Sequence, residues 1–300
     1  MKPLLFTGMV LWATWAWSCD VCGGVSGNAT IGLLASTQFH MIGFKSGYKT
    51  YKSYFQGIQH SREYIFEQDI TARWQVSPRW QILGSLPYQT GLQKRDLGSD
   101  LVHGLGDPQI LINRVLFHAR DSMLNTRSFL SFGVGIKIPA GKKAGATSMI
   151  RNLYPSTGAW NLSGLLTYTP SISRRLSLQN EVGFTAKFKD SYGYKYGNTS
   201  SFSSMLVGNF QQGQGRWLVG VGCRGEYFGA STIENQPLEG FTHQGYDISG
   251  QLALHYIAKQ WLWSMNIKQP IYQNFNQGSL KQGLQGSIAA AYLITKNSKK

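Results

Sequence analysis

The stretch Arg127–Thr169 reads RSFLSFGVGIKIPAGKKAGATSMIRNLYPSTGAWNLSGLLTYT. In Ser128–Pro139, Leu130, Phe132, Val134, Ile136 and Ile138 share one parity, and Ser131, Gly133, Gly135 and Lys137 share the other. Period-2 alternation sends one set to each face of a sheet. A Gly/Lys/Ser-rich loop, Ala140–Ala159, follows. The chain then returns with Trp160, Leu162, Leu166 and Tyr168 opposite Asn161, Ser163 and Thr167.

The unit recurs along the chain. Tyr64, Phe66, Ile70, Ala72, Trp74 and Val76 oppose Glu67, Asp69, Thr71, Arg73 and Gln75. Leu176, Leu178, Val182, Phe184, Ala186 and Phe188 oppose Ser177, Gln179, Glu181, Thr185 and Lys187. Trp217, Val219, Val221, Cys223 and Tyr227 oppose Gly220, Gly222, Arg224 and Glu226. Tyr246, Ile248, Leu252, Leu254 and Tyr256 oppose Asp247, Ser249, Gln251 and His255, and Trp261, Trp263, Met265 and Ile267 oppose Ser264, Asn266 and Lys268. The expected strands are Ser36–Tyr48, Arg62–Val76, Arg79–Tyr88, Asp107–His118, the two of the opening stretch, Arg175–Phe188, Ser200–Gln211, Arg216–Phe228, Tyr246–Ala258, Trp261–Ile271 and Leu280–Thr295. Asp107–His118 has a muddled parity, with Ile110, Leu111 and Ile112 consecutive.

Twelve strands result, and short turns alternate strictly with long loops, Lys49–Ser61 and Gln89–Leu105 among the latter. That is the pattern of an all-β, antiparallel up-and-down barrel of the outer membrane. Both chain ends would then be periplasmic, in a Gram-negative envelope. Rings at strand ends, including Trp74, Trp80, Tyr88, Trp160, Tyr246, Trp261 and Tyr272, suggest two interfacial girdles. A soluble sandwich or propeller would have to bury the apolar parity of every strand. Closure with lipid outside leaves no unpaired edge.

Composition agrees. Charged residues are only 14% of 300, and 35 glycines against 9 prolines suit strands punctuated by glycine. Beyond the N-terminus there is no apolar run of about 20 residues, so no transmembrane helix is expected. Met1–Ser18 reads as a secretory signal peptide, with Lys2 before an apolar core and Ala16-Trp17-Ser18 before Cys19. Residues 19–35 then form a periplasmic segment that could plug the lumen, 36–295 the barrel and 296–300 a basic tail. Cys19 and Cys22 suit a local disulfide, a lipidated Cys19 or a soft metal. Cys223 reads as a small packing residue. The net charge of +15 is scattered over loops and ends rather than concentrated in a groove. That argues against nucleic acid and for anionic headgroups or an anionic solute.

With the apolar parity toward lipid, the lumen is expected to carry Glu67, Asp69, Arg73, Lys137, Glu181, Lys187, Arg224, Glu226, His255 and Lys268. Such mixed charges serve either a polar conduit that selects solutes or a network of ion pairs that fills the interior. No phosphate loop, zinc-protease helix, EF-hand loop or Gly-x-Ser-x-Gly elbow is present. His255 falls on the lumen side, whereas a barrel phospholipase shows its Ser and His to lipid. No enzyme and no cofactor are expected. The expected function is passage of small solutes. Anchoring or adhesion through the long Lys/Tyr loops is the alternative.

At Leu86-Pro87-Tyr88, Gly104-Leu105-Gly106-Asp107-Pro108, Gly135–Lys142 and Ser156-Thr157-Gly158-Ala159-Trp160, the chain resembles the outer-membrane barrels grouped with the phenol meta-pathway transporter-like proteins. The motifs cover roughly the middle third of the chain. The Cys19–Gly24 start looks like a Bacteroidetes-type subset. The resemblance implies a twelve-stranded barrel passing small hydrophobic or aromatic compounds, and it supplies no binding residues. One departure is the end of the chain. Many such barrels finish on an aromatic residue of the last strand, whereas this one runs on to Lys300, with Tyr292 the nearest candidate.

Overall fold

The computed structural model describes residues 39–294, apart from 97, 122–125, 146–147, 149 and 238–243. The expected signal peptide, the Cys19/Cys22 pair and the basic tail lie outside the described residues. The strands are β1 (His40–Phe55), β2 (Ile58–Gln75), β3 (Trp80–Arg95), β4 (Gln109–Asp121, preceded by the segment Gly98–Leu105) and β5 (Thr126–Lys137). Next come β6 (Asn161–Thr169), β7 (Leu176–Lys187), β8 (Thr199–Gln212), β9 (Gly215–Phe228), β10 (Gly245–Ala258) and β11 (Trp261–Phe275). The last is β12 (Gln285–Ile294, preceded by Leu280–Gln282). Each strand pairs antiparallel with its sequence neighbour, and β12 returns to β1 with Ile42 opposite Tyr292 and Ser46 opposite Ile288. The molecule is therefore a closed twelve-stranded meander.

Its polarity is inverted relative to a water-soluble protein. Trp74 is 62% exposed, Leu252 56% and Ile288 63%, while Asp107 is 0% exposed, Asp247 1% and Glu226 2%. Apolar side chains face out and charged ones face in. An outward apolar band costs nothing in hydrocarbon and would cost much in water, so the wall is built for a bilayer. No helix among the described residues is long and apolar enough to cross a membrane. The muddled parity of β4 resolves in the same way: Leu111 turns inward, whereas Ile110 and Ile112 turn outward. A bulge between Val115 and Phe117 then shifts the register. Cys223 is exposed on the outer face, so it belongs to the lipid-facing wall and is not a packing residue.

Ring pairs mark both rims. Trp261–Trp263 (6.0 Å) and Trp261–Tyr292 (5.4 Å) lie at the short-turn end, and Tyr246–Tyr272 (5.7 Å) and Tyr48–Tyr64 (6.5 Å) toward the long loops. From Trp74 to Tyr64 on β2, about 10 residues at ~3.3 Å with a tilt of ~45° span roughly 23 Å, the height of an outer-membrane apolar band. Ile288→Arg, in the middle of that band, is expected to destabilise the inserted barrel by about 2–4 kcal/mol. The folded fraction in lipid vesicles across a urea series would measure it, and an unchanged midpoint would contradict a lipid-facing wall.

Short turns are set by side chains. In 76–80, Ser77 Oγ accepts from the backbone N–H of Arg79 (3.3 Å) and Trp80 (3.2 Å). In 173–176, Ser173 Oγ does the same for Arg175 (3.3 Å) and Leu176 (3.2 Å). On the opposite rim the sequence reading needs correction. Residues 49–61 and 89–105, expected as loops, are mostly strand. β1 continues to Phe55 and reverses through Gln56 (φ 50°) and Gly57 (φ 81°) into Ile58. Two left-handed residues make the tight hairpin turn that matches strand twist. β3 likewise runs to Arg95 and pairs with Gly98–Leu105. Above the bilayer neither face needs to be apolar, so hydrophobic alternation fades although the ladder continues.

Candidate solute cavity and its inserted loop

The interior is stacked in zones along the barrel axis. Toward the short turns, Leu262, Ala291 and Leu293 form a buried apolar cluster with Met41, Phe39 and Ile257 against it. Met205, Val207, Leu218 and Ala253 form a second cluster, and Leu83, Leu111 and Leu165 a third. Toward the long loops, Tyr51, Ile65, Phe228, Phe275 and Leu280 pack together, with Phe228 edge-on to Phe275 at 4.7 Å. The charged side chains lie between.

They fall into two groups, one centred on β9–β11 and the other on β1–β2, with β12 between them. On the β9–β11 wall, Arg224 Nε donates to Glu226 Oε1 at 2.7 Å, Lys268 Nζ donates to Glu226 Oε2, and Lys268 stands 3.9 Å from Asp247. Asp247 also accepts from Ser249 Oγ, and Glu181 accepts from Gln179 Nε2 at 2.9 Å. His255 Nδ1 shares a hydrogen bond of 2.8 Å with Ser264 Oγ. Lys187 is buried nearer the long-loop end of β7.

On the β1–β2 wall, Lys45 pairs with Asp69 (3.5 Å) and Lys49 with Glu67 (3.1 Å). These four, with Arg73 and Lys137, line a cavity of about 130 Å³. Its space comes from small inward residues on facing strands. Gly47 lies opposite Ser287, Lys45 opposite Ala289, and Gly43 opposite Ala291. The floor is Met41, Leu83, Leu111 and Leu262, and the roof is built from residues 151–157.

That roof is the described part of the loop 138–160, folded into the barrel mouth. Arg151–Leu153 forms one 3-10 turn, and Leu153 is 1% exposed. Gln89 Nε2 donates to Leu153 O at 3.2 Å. The loop is tied down at Asp107, which is wholly buried. Its Oδ1 accepts from Gly141 N–H (3.1 Å), and its Oδ2 from Thr157 N–H (3.0 Å) and Thr157 Oγ1 (3.2 Å), with Lys137 Nζ at 3.7 Å. Hydrogen bonds to a charged acceptor are worth about 1.5–3 kcal/mol each, and a desolvated carboxylate without them would be costly. Gly141 has no room for a side chain, since a Cβ there would lie 2.5 Å from Leu105 O. Gly158 takes φ +68°, and its N–H donates to Ser156 Oγ at 2.9 Å. A second loop buttresses the first: Arg151 Nη1 donates to Asp190 at 3.2 Å, and its guanidinium lies 4.6 Å from the Tyr194 ring centre.

Sequence reading placed Lys49 in a loop and did not count Lys45, Asp107 or Arg151 among the inward side chains. For the two lysines the signal was available: Lys45, Gly47, Lys49 and Tyr51 continue one parity from Met41. Asp107 and Arg151 sit where no alternation exists to assign a direction. The four separated motifs of the sequence resemblance meet here. Pro87 O accepts from Gly106 N–H at 2.8 Å, Leu105 O from Lys142 N–H at 2.9 Å, and Lys142 O from Ser156 N–H at 3.1 Å. Among the described residues, no group of His, Cys, Asp and Glu could hold a metal ion.

No family model matches the sequence, and no curated protein matches it. Solved structures do. An outer-membrane channel from Pseudomonas putida F1 aligns over 84% of this chain and 95% of its own at 11% identity, with a TM-score of 0.57. The β domain of the Bordetella autotransporter Brka aligns over 85% and 99% at 8% identity, with a TM-score of 0.53. The fold is that of an outer-membrane β-barrel. Identities this low carry architecture and not cargo, so the interior must speak for the function.

Proposed function

We propose that the protein is a channel that passes small solutes through the barrel interior, hydrophobic or aromatic ones among them, with short turns and both termini in the periplasm. The observation that carries this reading is the state of the inner wall. Both amide atoms of Asn161, Asn266 Oδ1, His255 Nε2, Gln179 Oε1 and Asp247 Oδ1 are buried and have no protein partner among the described residues. All face inward. Buried polar atoms are almost always satisfied, and each unmet one costs about 1–3 kcal/mol, so this interior is not a fully paired filling. An incompletely paired polar interior, beside a cavity lined by Lys45, Lys49 and Asn266, suits a solute path better than a closed ion-pair filling. The motif resemblance adds the hydrophobic or aromatic class.

Planar-bilayer conductance and a liposome-swelling panel of aromatic, anionic and sugar solutes test it. Ala289→Phe, which places a ring in the cavity, is expected to cut conductance severalfold. A barrel silent to every solute would favour the second reading, a surface anchor. That reading draws on the exposed tip of the β1–β2 hairpin, where Phe55 is 60% and Ile58 74% exposed. A lipid-modifying enzyme draws no support from the Ser264–His255 pair, which faces away from lipid.

A further inference from the structure

We infer that the cavity is a saturable binding site for a small organic carboxylate with an apolar body, its carboxylate taken by Lys45 and Lys49. The inference rests on the channel reading for its biological sense but not for its geometry, and it names the class of solute.

Three features of the cavity point the same way. The first is its polarity along the barrel axis. Met41, Leu83, Leu111 and Leu262 make a largely apolar floor, and the two lysine–carboxylate pairs make a charged waist above. Arg73 shares the level of Met41 and Leu83, with its guanidinium over the Phe39 ring at 5.1 Å. A ligand that lies along the axis meets mostly hydrocarbon at one end and charge at the other. Apolar solutes gain about 25 cal/mol per Å² from the floor, whereas the waist rejects a group that cannot replace its hydration.

The second is the sign of the charge offered. The lining carries Lys45, Lys49, Arg73, Lys137 and Arg151 against Glu67 and Asp69. Counting Asp107 and Asp190, which hold Lys137 and Arg151 from behind, cations still outnumber carboxylates. Accessibility reinforces the sign. The Lys45 side chain keeps 20% exposure against 7% for its partner Asp69, and Lys49 keeps 18% against 14% for Glu67. Lys45 is therefore the more accessible partner of its pair, Lys49 and Glu67 are nearly equal, and all four line the cavity. An ammonium has three donors and no acceptor, so it can hold its wall carboxylate and a ligand oxygen together. Arg73 below and Arg151 above add positive potential in a low-dielectric space, where each charge counts for more than in water.

The third is size. The cavity, about 130 Å³, is of the order of an engineered apolar cavity of about 150 Å³ that takes benzene. Small residues of β12, with Ser85 of β3 and Ser264 of β11, leave this space. A single ring or short chain bearing one carboxylate fits, whereas a disaccharide does not.

Equilibrium dialysis on the purified full-length protein in detergent tests the inference with three probes of one shape: benzoate, benzyl alcohol and benzylammonium. Saturable one-to-one binding of benzoate is expected, at least tenfold tighter than benzyl alcohol, with benzylammonium weakest. The double variant Lys45→Gln, Lys49→Gln should collapse the preference of benzoate over benzyl alcohol toward one. Ala289→Phe should abolish binding of both. Heat-modifiable gel mobility identifies the folded barrels. Should the lysine double variant fail to fold, the probe ranking and Ala289→Phe still decide the matter. Equal binding of the three probes, or a preference that survives loss of both lysines, overturns the site. The two readings separate cleanly. A conducting barrel without the benzoate preference rejects this inference and keeps the channel. A silent barrel that binds benzoate rejects the channel and keeps the site.

Discussion

Replacing Asp107 with Ala is expected to release the loop 138–160 from the barrel mouth without unfolding the barrel. The carboxylate accepts hydrogen bonds from Gly141 and Thr157 and faces Lys137 at 3.7 Å, and it is wholly buried. Removing it leaves three donors without that acceptor and takes from Lys137 the carboxylate 3.7 Å away. Breaking a buried charge pair from one side costs about 3–5 kcal/mol. That exceeds what a short loop with one 3-10 turn recovers elsewhere, whereas the strand ladders on either side do not depend on it. Local opening then dominates, and cleavage follows the open population. Trypsin cutting at Lys142, Lys143 and Arg151 should accelerate about 100-fold, the equivalent of ~3 kcal/mol by RT ln K. The temperature at which the folded band is lost on a gel should stay nearly constant. Because residues 151–157 roof the cavity, bilayer conductance should rise with the cleavage rate. Gly141→Ala should act in the same direction, since its Cβ would strike Leu105 O and the Gly106 backbone. Unchanged proteolysis in Asp107→Ala would remove the anchor from the account.

The second large effect belongs to the charged group on β9–β11, and there the barrel itself should suffer. Glu226→Ala leaves Arg224 and Lys268 facing each other without the carboxylate they share. The Glu226 side chain has no solvent exposure, so water does not substitute freely for it. The expected loss is about 3–5 kcal/mol, read as a lower urea midpoint with an unchanged slope. The quadruple variant Arg224→Met, Glu226→Met, Lys268→Met, Asp247→Asn removes the charges together, Asp247 included because Lys268 stands 3.9 Å from it, and should recover most of that loss, since an apolar filling is often as stable as a buried ion pair. If the quadruple variant is as unstable as the single one, the network is needed for more than mutual neutralisation. Conductance separates the two groups: the quadruple variant, whose positions do not line the cavity, should alter it less than Ala289→Phe.

Much of the architecture is visible before any coordinates. Val134 and Ile136 against Gly135 and Lys137 already assign two faces to β5, and the same reasoning carries through β7, β9, β10 and β11. Where alternation is carried by hydrophobicity, the strand is readable. Where the chain leaves hydrocarbon, as at Lys49–Phe55 or Gln89–Arg95, the ladder continues without an apolar face and the sequence reads as loop. The ten inward side chains follow from parity alone, but their partners do not. That Lys268 meets Glu226, or that Lys49 meets Glu67, depends on register between strands.

The side-chain period of two is a local property of the extended backbone, and by itself it determined a closed meander, greasy outside and charged inside. It could not say how far each strand runs, which inward groups touch across the interior, or that Asp107 draws a distant loop into the mouth. Those depend on stagger between strands and on chain segments with no periodicity, and only the folded barrel brings them to one place.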